Sequence, residues 1–151
     1  MRVRRGGGGR DRGTISIFVA LSATTLLLFL GIVLDCGGRL RAIERTDALA
    51  AEAARVGGQQ IDEDALLKGD GPKIDTAAAY AAANAYLKPY GLSAEPPDPA
   101  NPPPATASSI TIVINTTYQT ALLGLFDTPT LSVHGSGSAT VVDGSEKAGG
   151  A

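Results

Sequence analysis

The stretch Ile15–Leu34, ISIFVALSATTLLLFLGIVL, decides how the rest of this chain is read. It carries no charge, and 20 residues rising 1.5 Å each make a helix about 30 Å long, the thickness of a bilayer's hydrocarbon core. Ser16, Ser22, Thr24 and Thr25 interrupt the apolar run, but hydroxyls can bond back to carbonyls of their own helix or face another helix in the membrane. Asp35, Arg39 and Arg41 then end the run abruptly.

Charge on the two sides of this segment fixes an expected orientation. Ahead of it stand Arg2, Arg4, Arg5, Arg10 and Arg12 against Asp11, a net +4; beyond Leu34, eight Lys and Arg face fourteen Asp and Glu, a net −6. Short basic flanks stay in the cytoplasm, so the sequence predicts a basic cytoplasmic tail over 1–14, a transmembrane helix over 15–34 and everything after it outside. Anionic lipid headgroups account for the arginines, and no nucleic-acid partner is expected.

A cleaved secretory signal calls for a shorter apolar region and an A-x-A-like site. A lipoprotein signal calls for small residues before its cysteine, where Asp35 precedes Cys36, and the Arg4-Arg5 pair runs into four glycines. The remaining processing reading is a prepilin-like leader cut between Gly13 and Thr14, with Phe18 standing where such helices carry an acid.

Beyond the membrane, 35–92 reads as an exported helical region. Arg39–Gln60 is expected as an Ala-rich helix, broken from the membrane helix at Gly37-Gly38 or continuous through them. Leu40, Ile43, Ala50, Ala54, Gly57 and Ile61 recur at helical spacing along one face, Asp47 interrupting them. That face either packs on the chain's own domain or receives a neighbouring subunit, in a homo- or hetero-oligomer. A second helix is signalled by TAAAYAAANAYLKPY, with Asp75 or Thr76 as cap and an end near Lys88, before Pro89 and Gly91.

SAEPPDPANPPPATAS, 93–108, is too proline-rich for helix or central sheet and reads as an extended spacer. The segment 109–142 changes period: β-branched residues dominate Ile110–Thr120 and return over Leu131–Val142, predicting two strands joined by ALLGLFDTP as a short helical turn. An exposed LLGLF is sticky, so it plugs the domain, touches the outer membrane surface, or makes an assembly contact. The Gly-rich tail 143–151 is expected to be disordered. The fold class is α+β: one transmembrane helix continuing into an Ala-rich helix, a second helix, then a β-hairpin-like end.

Little here can build an enzyme site. His134 is the only histidine and Cys36 the only cysteine, so no disulfide forms within one chain. No metal spacing exists, and Asp62-Glu63-Asp64 lacks the alternate ligands of a calcium loop and reads as a solvated turn. No catalytic residue, metal or cofactor is assigned.

Taken in order, RDRGTISIFVALSATTLLLFLGIVLDCGGRLRAIERTDALAAEAARVGGQ resembles the start of the TadE/TadG-like pilus-assembly proteins of bacteria, with an RxRGxxS-type junction, one membrane helix, an aspartate at its boundary and an Ala-rich helix. ITIVINTTYQTALLGLFDTPTLSVHGSGSATVV resembles their β-rich end, a Thr/Val strand followed by an FLGL-like segment and an LTVxGxAxA-like strand. The resemblance implies a minor pilin-like subunit or membrane-anchored assembly factor of a tight-adherence pilus or related secretion system, with pilins and assembly proteins as partners. It works by helix packing without catalysis. A structural or adhesive surface protein unrelated to pili is the rival reading, and a membrane-anchored enzyme or regulator built on His134 or the acidic turn is a further one.

Overall fold

A computed structural model describes residues 11–96, 98, 100 and 106–142. The basic tail before Asp11, residues 97, 99 and 101–105 of the Pro-rich stretch, and the tail from 143 onward lie outside the described residues. The architecture is mixed helix and strand: α1 (Asp11–Gly57), α2 (Glu63–Leu67), β1 (Ile74–Asp75), α3 (Thr76–Leu87), a 3-10 turn (Lys88–Tyr90), β2 (Thr106–Ala107), β3 (Ser109–Gln119), a second 3-10 turn (Leu123–Phe126) and β4 (Thr130–Thr140).

The long apolar helix predicted at the N-terminus is present, and Gly37-Gly38 do not break it: α1 runs through 47 residues. Two glycines cost a helix about 1 kcal/mol each relative to alanine, and the good helix formers on both sides of the pair outweigh that. Thr24 and Thr25 donate their hydroxyls to the carbonyls of Ala20 and Leu21, at 2.9 and 2.8 Å. They therefore bring no unsatisfied polar group into the apolar run. The chain divides into two compact units, one holding residues up to Gly38 with Gln119–Thr130, the other Arg39–Tyr118 with the chain from Leu131 on.

The second unit is built around small residues. Ala50, Ala53 and Ala54 of α1, Ala79, Ala83 and Leu87 of α3, Ile74 of β1 and Ile110, Ile112 and Ile114 of β3 form one buried cluster. α3 begins where its sequence predicts, since the Asp75 carboxylate accepts the Ala78 N–H at 3.0 Å, and it gives way to the Lys88–Tyr90 turn at Pro89. β1 pairs antiparallel with β2, Ile74 opposite Ala107.

β3 and β4 pair with each other. The Val141 N–H bonds the Ser108 carbonyl, and Asn115 stands beside His134. That register is antiparallel and sets the large residues Ile110, Ile112 and Ile114 across from Ala139, Gly137 and Gly135. The small side of the ribbon is where α1 comes close: a Cβ on Gly135 would meet the Thr46 backbone at 2.6 Å, and one on Gly137 would overlap the backbone of Ala50 and Ala51.

Two strands alone do not make a stable sheet in water, and their free edges invite further pairing. Here both edges are occupied. On β4, Arg39 donates to the Ser132 carbonyl at 3.2 and 3.3 Å and the Asp47 carboxylate accepts the Ser136 N–H at 3.0 Å. On β3, the Glu95 N–H reaches the Val113 carbonyl at 2.7 Å, and Ala94 bridges Ile114. One described end of the Pro-rich stretch is thus tied to β3, at Ala94-Glu95, while the other, β2, pairs with β1 in a separate two-stranded sheet.

Candidate functional site at the end of the apolar segment

Within the first unit, the residues from Ile15 to Leu34 are almost all exposed, among them Phe18 at 70 % and Phe29 at 64 %. An exposed apolar run of this length makes α1 a candidate membrane span. Gly31 is the buried exception, and Asp35, the first residue after the run, is fully buried.

Asp35 meets the connection between β3 and β4. Its Oδ1 accepts the Ala121 N–H at 2.6 Å, and its Oδ2 accepts the Leu122 and Leu123 N–H groups at 2.9 and 2.8 Å. These donors open the Leu123–Phe126 turn, and the first N–H groups of a helical turn have no partner inside it. A carboxylate is the group helices favour there, but this one is supplied from 86 residues away. The Leu123 N–H, followed by those of Ala121 and Leu122, holds the Asp35 carboxyl below its ordinary range, against burial, which pushes the other way.

One turn earlier in α1, Gly31 makes room for Leu122. A Cβ at Gly31 would stand 2.6 Å from Leu122 Cγ, so a glycine is required for the leucine to lie against the helix. The connection is closed by its own bonds as well. Thr120 donates its N–H to the Pro129 carbonyl at 3.0 Å and its hydroxyl to the Thr128 carbonyl at 2.7 Å, and the Leu125 and Thr128 N–H groups return to Leu122 and Leu123. Asp127 ends the turn in the left-handed region, φ 63°, its N–H on the Leu123 carbonyl. Leu125 and Phe126 stay 78 % and 60 % exposed.

No protein-family model, curated protein or solved structure matches this chain.

The residues singled out from the sequence fall in several places. Gly13 and Thr14 are exposed near the start of α1. Ala50, Ala54 and Gly57 are buried, a Cβ on Gly57 meeting the Ala79 carbonyl oxygen at 2.9 Å. They serve contacts inside the second unit. Ile43 and Ile61 are half-buried, Ile61 lying beyond the end of α1 in a bridge to Ile74, and Leu40 is 57 % exposed. His134 is exposed on β4 with its Nδ1 beside Asn115 Oδ1, and Cys36 is an exposed thiol. Asp62 caps the five-residue α2 by accepting the Ala65 N–H at 3.0 Å. Sequence reasoning passed over Gly31 and saw Asp35 merely as a boundary. The available signal was a glycine one turn ahead of an acid at the end of an apolar run.

Proposed function

We propose that this chain is a membrane-anchored, non-catalytic component of a tight-adherence type pilus or related secretion system, a minor pilin-like subunit or assembly factor of TadE/TadG-like kind. Its N-terminus lies in the cytoplasm and its C-terminus outside. The observation that carries the reading is the clasp of Asp35 on Ala121, Leu122 and Leu123. It joins the two parts of the sequence on which the resemblance rests, the aspartate at the membrane boundary and the LLGLF segment between the strands.

The working surface in this reading is the exposed apolar length of α1. Ala50, Ala54 and Gly57 are taken up within their own unit, so lateral packing against pilins or an inner-membrane assembly falls to Ile15–Leu34 and to Leu40. Helix packing in a membrane runs on close van der Waals fit between small and apolar side chains, and needs no reactive group.

The test is a photo-cross-linking amino acid placed at Leu27 or Leu40 of the full chain in its native membranes, with adducts identified by mass spectrometry, alongside a deletion strain scored for sheared surface filaments. Adducts to proteins with a pilin-type N-terminal helix, and fewer filaments after deletion, are expected. Normal filaments together with adducts confined to other surface proteins would replace the pilus reading with that of an unrelated surface protein.

A further inference from the structure

We propose that the connection between β3 and β4 is a second membrane-contacting element, in which Leu125 and Phe126 dip into the lipid interface and the Asp35 clasp holds them at that depth. The proposal rests on the membrane reading of Ile15–Leu34 and is independent of the pilus reading.

Position is the first argument. Leu122 lies against Gly31, which is three residues, about 4.5 Å, inside the end of the apolar run at Leu34. A loop docked there on a membrane helix sits at the hydrocarbon boundary.

Chemistry is the second. A backbone entering a region poor in water must satisfy its own polar groups. The N–H groups of Ala121, Leu122 and Leu123 go to Asp35; those of Thr120, Leu125, Asp127 and Thr128 are bonded within the loop itself. Asp35 is buried and both its carboxylate oxygens are bonded, so its charge is covered.

The apolar side chains are the third. Leu125 and Phe126 are among the most exposed large residues outside the apolar run, on a loop in which seven backbone N–H groups, those of residues 120–123, 125, 127 and 128, are bonded to Asp35 or to the loop itself. Lipid is the occupant that the span itself brings to this place. Asp127, exposed directly after Phe126, remains with the headgroups and limits the depth.

The experiment uses the full chain in phosphatidylcholine and phosphatidylglycerol vesicles at low protein-to-lipid ratio, in a Cys36→Ser background. Cysteine replaces Leu125 or Phe126 and carries an environment-sensitive fluorophore, and a label replacing Glu63 in the acidic start of α2 is the aqueous reference. Both side chains are exposed, so the label needs no repacking. Labels at 125 and 126 are expected to be quenched several-fold more than the reference by lipids bearing a nitroxide near the headgroup, and several-fold less by iodide. Adding Asp35→Ala is expected to return both toward the reference. Iodide quenching equal to the reference, shielding that appears only as the protein-to-lipid ratio rises, or lipid quenching indifferent to Asp35→Ala would each overturn the proposal. The second outcome would make another copy of the chain the occupant. A failed pilus assignment would leave all of these readings unchanged, because the vesicles hold no pilus partner.

Discussion

The Asp35 carboxylate accepts the Ala121 N–H at 2.6 Å across 86 residues of chain, and the two neighbouring N–H groups complete the contact. Removing it leaves three N–H groups at the start of a turn with no acceptor. Asp35→Ala is therefore expected to deprotect the Ala121, Leu122 and Leu123 amides to hydrogen exchange in detergent micelles, while the Ile112 and Ile114 amides keep their protection. Asp35→Asn, with one acceptor oxygen in place of two, is expected to fall between. Unchanged exchange at 121–123 in the alanine variant contradicts the clasp.

The same contact carries a pH dependence of fixed sign. Since the folded-state pKa of Asp35 lies below its unperturbed 3.8, its contribution is complete above that value and is lost as pH falls through the depressed one. Protection of the three amides is expected to be flat from neutral pH down to about 4 and to drop below it. A drop centred well above 4 contradicts the assignment.

Gly31 and Leu122 are coupled by volume. Gly31→Ala places a methyl where the leucine lies, and it is expected to loosen the loop to exchange much as Asp35→Ala does. Leu122→Ala in the same chain is expected to restore most of the protection, as paired size changes in contact are non-additive. Additive effects of the two substitutions contradict the packing.

Strand and helix meet through glycine in the second unit. Gly137→Ala drives a Cβ into the backbone of α1 and is expected to cost about 1–3 kcal/mol. Its exposed neighbour allows a control, Ser138→Ala, expected to stay within about 0.5 kcal/mol. Ile112→Ala, on the opposite strand and fully buried, is expected to cost about 2–5 kcal/mol. Denaturant titration of the full chain in micelles, followed at the β3 amides, gives all three, and equal tolerance of Gly137→Ala and Ser138→Ala contradicts the close approach.

What could be read in the sequence was what is coded locally. The apolar run, the cap at Asp75 with the stop at Pro89, and the period of two in Ile110–Thr120 are signals within a few residues of the structure they specify. ALLGLFDTP predicts a short helical turn between the strands, and the Leu123–Phe126 turn stands there in 3-10 form. What escaped the reading depends on distant partners. Asp47 interrupts an apolar stripe in the sequence and is the acceptor for the Ser136 N–H on the outer edge of β4. Gly135 and Gly137 read as ordinary strand positions, because nothing in GSGSA says that a helix 90 residues earlier must come close. The acidic run at 62–64 is exposed at Glu63 and Asp64, as a solvated turn would be, but it opens a five-residue helix that leaves no period to detect. Along α1, an alanine face has the same spacing whether it packs within its own unit or on another subunit.

The measurement that bears most directly on the membrane-anchored account is the N-terminal sequence and intact mass of the protein from carbonate-washed membranes and from the sheared surface fraction. The account predicts a mature chain that begins at Met1 or at Thr14 and so retains Ile15–Leu34. A chain that begins beyond Leu34 would show the apolar helix to be a discarded signal and would contradict the account.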